Sequence, residues 1–490
     1  MTGSPGPTGP PRSTGSAPPT GPAPPADSGR QDGDGAQGAR VAAASTATSR
    51  ARPSRGLGPG FGRLWSAYTS GNLADGMALT AFPLVAAFLT TDPLLVSGLM
   101  AVRYLPWLLL GALAGAVVDR VDRVAAMRVS GAVRAGTMGV LALLLATGSA
   151  NIWALYAAMF TVMTCETVYD SAARAHLPAL VGRGRLDAAN SRLEGGRVLA
   201  EDCAGAPAAG LLFGVAALLP IAAGGLAFLL SAVLLIGIPA TARRADLPGR
   251  GGAVPEARPA GAARGPVPSA DVGPDAGPGA GTPRRGLVRA VAADTAVGFR
   301  FILGDRVQAG LAVYGTGCSI GFQTASAVLV LYAQQILGVP AHLYGFFLAS
   351  AALGALAGAL AAAPLGRRIP KAVLISGGFA LVGAAVAGMG LVASAAAAAV
   401  LWALMGFANS VGNVLALGVL QTITPDRLLG RVQGARRTLG WGLAPVGALL
   451  GGLLGRIDLA LPLVVGGSLV MAMPLLFSWA IVGAVRRAGL

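Results

Sequence analysis

The sequence predicts an all-α integral membrane protein, with twelve transmembrane helices in two six-helix halves. Three observations predict it. Of 490 residues, 54% are hydrophobic and 12% charged, about half the roughly 25% charged share of a soluble domain, so a water-soluble surface cannot be clothed. The apolar residues gather in long charge-free runs, at 104–118, 135–165 and 203–242 among others, and about 20 such residues cross a bilayer core of about 30 Å. The arginines collect on every second connector between runs, as the positive-inside rule requires.

Residues 1–60 are rich in Pro, Gly, Ser, Thr and Ala and hold no apolar run, which predicts a disordered cytoplasmic tail without a secretory signal. Spans are expected at 65–90, 94–118, 124–147, 152–173, 190–216 and 220–241, giving an N-terminal bundle over 61–241. Residues 242–304 are rich in Pro, Gly, Ala and Arg and read as a flexible cytoplasmic linker. Further spans at 306–336, 342–366, 371–393, 396–422, 436–455 and 460–485 form a C-terminal bundle over 305–490. The seven letters LGALAGA occur at 110–116 and again at 353–359, each in the second span of its half. That placement reads as a duplication, the plan of transporters with two parallel halves around a central pathway.

The net charge of +16 follows from arginine-bearing connectors, such as Arg120, Arg123 and Arg128, or Arg367, Arg368 and Lys371. The opposite loops at 90–93 and 148–151 hold no Arg, and Arg456 is the exception. Both termini are therefore expected in the cytoplasm, in a multi-pass protein of the cell (plasma) membrane. The basic balance points to a lipid bilayer and not to nucleic acid as partner. Cys165, Cys203 and Cys318 stand alone in apolar stretches, and His176 and His342 lie far apart. This spacing gives neither a disulfide framework nor a metal site. No phosphate-binding loop and no nucleophile–base–acid set is present, so neither an enzyme nor a cofactor is expected. An ion gradient or the substrate's own gradient must supply the energy.

Charges within spans carry the functional signal, because an ionised group at mid-bilayer costs about 2.5–3.5 kcal/mol on insertion scales and is retained for pairing or function. Asp75 lies mid-span in the first helix and Arg103 in the second, offset in depth by about 9 Å. They read either as an intramembrane pair or as Asp75 carrying a proton or meeting a cationic substrate. Glu166, Asp170 and Arg174 recur every four residues on one helix face. Glu166 falls about 21 Å below the outer edge, still in hydrocarbon, and is a second candidate for carrying a proton. Asp170 and Arg174 lie nearer the cytoplasm and read as part of a gate. Glu201, beside Asp202, is a third proton candidate or a group in a solvated cavity. Gln323, Asn409 and Asn413 are candidates for a substrate path or for bonds between helices. Gly111, Gly115 and Asp119 share a face, as do Gly354 and Gly358, and such small residues let helices approach closely. Asp119 stands at a helix C-terminus, where the dipole disfavours an acid, so it needs a partner.

GALAGAVVDRVDR at 111–123 resembles the loop signature after the second helix of major facilitator superfamily transporters. YDSAARAHLPALVGRGRLDAANS at 169–191 and LQTITPDRLLGRVQGARRTLGWGLAPVGALLGG at 420–452 are similar to the drug, macrolide and enterobactin efflux branch. The resemblance implies the major facilitator fold and a cytoplasmic charge network of Asp119, Arg120 and Arg123, with Arg436 or Arg437 meeting Asp119. Ala362 occupies the position equivalent to Asp119, so this network is one-sided. The stretch 205–210 partly resembles a Pro- and Gly-rich exporter motif, with Ala206 and Leu211 in place of two of its glycines. The implied function is secondary active, proton-coupled efflux of a small lipophilic drug, siderophore or secondary metabolite by a monomer. The alternatives are an importer or facilitator on the same fold, or a membrane scaffold or sensor without transport.

Overall fold

The structure, a computed structural model, describes residues 57–118, 121–238, 285–425 and 428–489. All of its regular elements are helices. In the first half these are α1 (Pro59–Leu89), α2 (Pro93–Val118), α3 (Arg123–Ala146), α4 (Ile152–Val181), α5 (Leu186–Val215) and α6 (Leu218–Leu234). After them come α7 (Arg285–Gly304), the bent pair α8 (Arg306–Ser326) and α9 (Leu329–Ile336), α10 (Ala341–Arg368), α11 (Lys371–Met389), α12 (Ala395–Ile423) and α13 (Leu429–Gly455). A second bent pair, α14 (Leu461–Leu476) and α15 (Ser478–Arg487), ends the described chain.

Local chemistry sets many of these boundaries. Gly58 takes a φ of 91°, open to a residue without Cβ, and Pro59 then starts α1. The side chains of Asp122, Asn151, Asp305 and Ser394 each accept a hydrogen bond from the backbone N–H three residues on, capping α3, α4, α8 and α12.

Among the described residues eight helices are long and apolar enough to span a bilayer, and ten if each bent pair is one span. The other two expected spans correspond to α2, 26 residues long, and α6, with 17 residues. Helical segments thus occur at all twelve expected places, and α6 is shorter than a full span. The reading of 242–304 as flexible is corrected at its end, where residues 285–304 form α7. Leu287, Val291, Ala292, Thr295, Phe299 and Ile302 recur at helical spacing there, a pattern masked by the Pro and Gly of the preceding stretch. Residues 1–56 and 239–284 lie outside the described residues.

The halves repeat in three dimensions. In the first, α1 and α3 pack on α6, α2 on α4, and α1 on α5. In the second, α8 and α11 pack on α14, α10 on α12, and α8 on α13, the same partners six spans later. The paired glycines work as their spacing suggests. Gly354 and Gly358 face the carbonyls of Ala403 and Phe407 on α12, where a Cβ would overlap the backbone. Between halves the main contacts are α2 with α13 and α5 with α10.

Candidate functional site

At the centre of the first bundle, Asp75 is buried and accepts two hydrogen bonds from Arg134 Nη1, at 2.9 and 3.0 Å. Arg134 is fully buried on α3, and its guanidinium stands 4.9 Å from the Tyr169 ring and 4.3 Å from the Phe228 ring. Tyr169 donates to Ser231 Oγ (3.0 Å), which donates to the Ala67 carbonyl (2.7 Å). These bonds tie α1, α3, α4 and α6 around one ion pair. The expected partner, Arg103, does not take this place. Helical rise matches depth along the bilayer normal, whereas pairing depends on which helix is adjacent, and α3 presents Arg134 directly to Asp75.

Beside this pair, a cavity of about 780 Å³ lies between the halves. From the first half Arg103, Glu166, Asp170, Arg174, Arg197 and Glu201 line it, and from the second Gln323, Asn409, Asn413, Arg436 and Arg437. Glu201 sits in a π-helical turn, Val198–Gly205, the kind of distortion that is frequent at functional sites. Its carboxylate is held by Arg197 at 2.8 Å, and its carbonyl lies against Gly76, where a Cβ would overlap it. Asn413 donates to Asn409 at 2.9 Å. Arg436 donates to Gln308 Oε1. The Arg437 guanidinium lies 4.2 Å from the Trp107 ring and 4.5 Å from the Trp441 ring.

The cavity is closed at one end. Arg-poor connectors meet at this end, and there Arg456 makes a two-pronged bond to Asp92, at 2.8 and 2.6 Å, across the halves. The Arg456 hydrogen bond holds the Asp92 carboxyl below the usual carboxylate range. Gly452 abuts the Ser97 side chain and the Leu94 backbone, and Gly455 abuts the Pro93 ring, so α2 and α13 approach closely there. At the same end Gly210 and Gly345 bring α5 and α10 into backbone contact. The cavity lining reaches toward the opposite, Arg-rich end at Arg174, Leu420 and Val485. Outside the spans at that end, Asp305 is also held below the usual range, by the Gln308 backbone N–H and then by Arg487 at 2.8 Å.

The chain forms two matched helical halves with a cavity between them, and a family model of the Major Facilitator Superfamily matches residues 64–444. The chain belongs to the major facilitator superfamily. That superfamily is one of multi-pass membrane transporters. It is 34% identical over 166 residues to the enterobactin exporter EntS of Escherichia coli O127:H6 (strain E2348/69 / EPEC), a match that covers 32% of this chain and 37% of the exporter. Against the enterobactin exporter of Escherichia coli O1:K1 / APEC, identity is 35% over 164 residues, with the same coverage of 32% and 37%. Among solved structures, a bacterial homologue of the iron transporter ferroportin in an inward-facing state superposes with a TM-score of 0.60 at 14% identity, over 86% of this chain and 98% of that one. The nucleoside transporter NupG superposes with a TM-score of 0.56 at 10% identity, over 87% and 99%. These two likenesses concern the fold.

Within this superfamily framework, most of the residues singled out from the sequence come together in the cavity. Asp75 stands behind its wall, paired to Arg134. Arg123 lies apart and donates to the Ala175 carbonyl at 2.8 Å. Asp119 and Arg120 lie outside the described residues, and the described partner of Arg436 is Gln308. Asp170 and Arg174 line the cavity, beyond the gate role expected of them. The contacts Asp75–Arg134, Asp92–Arg456, Glu201–Arg197 and Asp305–Arg487 were missed. Arg134 had a readable signal, being a cation in the middle of the third span. Asp92 gave none, although its partner Arg456 stood out as the arginine on the wrong side.

Proposed function

We propose that this superfamily member is a proton-coupled exporter of a small molecule, working by alternating access in the plasma membrane with both termini cytoplasmic. The observation that carries the reading is the cavity between the halves. It is lined by carboxylates on the first-half wall, and the Asp92–Arg456 bridge clasps the halves at the Arg-poor end. The positive-inside rule assigns the Arg-rich end to the cytoplasm, so the cavity lining reaches toward the side where an exporter loads and an importer releases. The partial likeness to enterobactin exporters supports export and a substrate such as a drug, siderophore or secondary metabolite.

Glu166 is the proposed proton carrier. It lines the cavity with no ion pair among the described residues, whereas Glu201 is held by Arg197 and Asp75 by Arg134. In this reading Asp75–Arg134 is the fixed counter-charge behind the carrier, and loss of a substrate-facing acid breaks the coupling of the two fluxes. Everted membrane vesicles energised to an acidic interior should accumulate the substrate, and Glu166→Gln should abolish the dependence on the proton gradient. Gradient-driven accumulation by Glu166→Gln at the native rate removes Glu166 from the mechanism. Accumulation by right-side-out vesicles instead establishes import.

A further inference from the structure

The cavity has a cationic, aromatic shelf that no part of the transport cycle above uses. We infer that it is a binding site for the aryl carboxylate class: a planar aromatic ring bearing a delocalised anionic group, seated among Tyr104, Trp107 and Trp441 and met by Arg103 and Arg437. The inference rests on the transport reading only in naming this ligand as cargo.

The first support is charge. Five arginines and three carboxylates line the cavity, so the wall is cationic even with every acid ionised. One of those acids, Glu201, is already engaged by Arg197 at 2.8 Å. Asp75, the residue best placed by sequence to meet a cation, is occupied by Arg134 at 2.9 Å and lies behind the wall. Among the described residues the second-half wall has no acid. Asp305, Asp426 and Asp458 are the acids after residue 304; Asp426 lies outside the described residues, and neither Asp305 nor Asp458 lines the cavity. A lipophilic cation would therefore meet repulsion across most of this surface.

The second support is the shape of the contact. Trp107 and Trp441 meet edge-to-face at 5.4 Å, and Tyr104 meets Trp441 in the same way at 6.1 Å. Arg437 lies over both indoles and Arg103 over Tyr104 at 5.5 Å. Among the described residues neither arginine forms an ion pair; rings are their close contacts, with Asp170 near Arg437 and Asp202 near Arg103 at longer range. A guanidinium stacked on a ring keeps its N–H edge free, and that edge matches a carboxylate with two parallel hydrogen bonds. The ring of the same ligand then extends the edge-to-face set already present. Unpaired cations in a cavity walled by protein and lipid are costly to hold, and an arriving oxyanion relieves that cost.

The shelf also has a useful position. Arg103, Tyr104 and Trp107 belong to α2 and Arg437 and Trp441 to α13, the two helices whose other ends are clasped by Asp92 and Arg456. A ligand held there bridges the two halves on the contact that must open.

The test uses the purified full-length chain in detergent and isothermal titration with three probes sharing one ring: 2-naphthoate, 2-naphthalenemethanol and 2-naphthylmethylammonium. Naphthoate should bind at least about tenfold more tightly than the ammonium, in keeping with charge-assisted hydrogen bonds, and octanoate should bind more weakly than naphthoate. Arg437→Ala should erase the preference for naphthoate, Arg437→Lys should restore part of it, and Arg103→Gln should reduce it independently. Thermal unfolding confirms that each variant is folded. Equal or tighter binding of the ammonium, equal binding of octanoate, or an unchanged naphthoate affinity in folded Arg437→Ala overturns the inference. Because no gradient is present, a chain that fails to export still tests the shelf, and an exporter with no naphthoate preference overturns the shelf alone.

Discussion

In the first half the bundle centre is ionic: Asp75 meets Arg134 at 2.9 Å, with Tyr169 and Phe228 closing over the guanidinium. In the second half rings take over, with Phe322 and Phe347 stacked against Trp402 at 6.2 and 6.3 Å, and glycine faces seating α10 directly on α12. The helix partners repeat between halves while the chemistry does not. Backbone geometry and small-residue faces suffice to keep a helix arrangement through duplication, so side-chain chemistry is free to specialise. Proton handling is proposed for the half with acids inside its spans, and ligand contact for the surface both halves share.

Three perturbations probe that contrast. The largest effect is expected from Arg134→Ala, which strands Asp75 as an unpaired buried charge and should cost about 3–5 kcal/mol. Thermal unfolding in detergent measures it, and Asp75→Asn added to Arg134→Ala should recover much of the loss. A single variant as stable as the native chain would show that the first half does not depend on its ion pair. Next, Gly358→Val in the second half drives a branched side chain into the Phe407 backbone and should cost about 1–3 kcal/mol. If stability is unchanged, close approach is not what seats α10 on α12. The smallest effect is expected from Asp92→Asn at the exposed clasp, which should raise the population open at the Arg-poor end by at most about fivefold. Cys318, which lines the cavity, reports it by labelling with an impermeant maleimide once Cys165 and Cys203 are replaced by serine.

The pH dependence of the clasp follows from Asp92. Its carboxyl is held below the usual range by Arg456, so its contribution is complete above the ordinary carboxylate value and lost only as pH falls through the depressed one. The ratio of Cys318 labelling rates in the native chain and in Asp92→Asn at the same pH should thus stay level from neutral pH down to about pH 5, because loss of thiolate slows both alike, and a rise in that ratio within the window would show that the clasp opens with acidity.

Much of the fold was legible because the bilayer leaves few choices: charge-free runs and alternating arginines locate the helices before any contact is known. The cavity was legible for the same reason, since Arg103, Glu166, Glu201 and Asn409 stand out wherever hydrocarbon should be. What escaped was azimuth and adjacency. Depth by helical rise made Arg103 a partner for Asp75, but only the packing of α3 beside α1 shows that Arg134 fills that role. The helix 285–304 escaped because a Pro- and Gly-rich stretch sets its average composition. The Asp92–Arg456 clasp joins residues 364 apart in sequence, and no local pattern announces such a pair.

The two seams between halves differ in what they are made of. Where α5 meets α10 the close neighbours are Ala206, Pro207, Gly210 and Gly214 against His342 and Gly345, while the seam between α2 and α13 carries the one described ion pair linking the halves. Parting the first strips no formal acid or arginine of its counter-ion, so it can serve as a dry rolling axis. Dissolved salt outside the membrane therefore weakens the second seam and leaves the first untouched, which makes one edge of the molecule its ionic throttle.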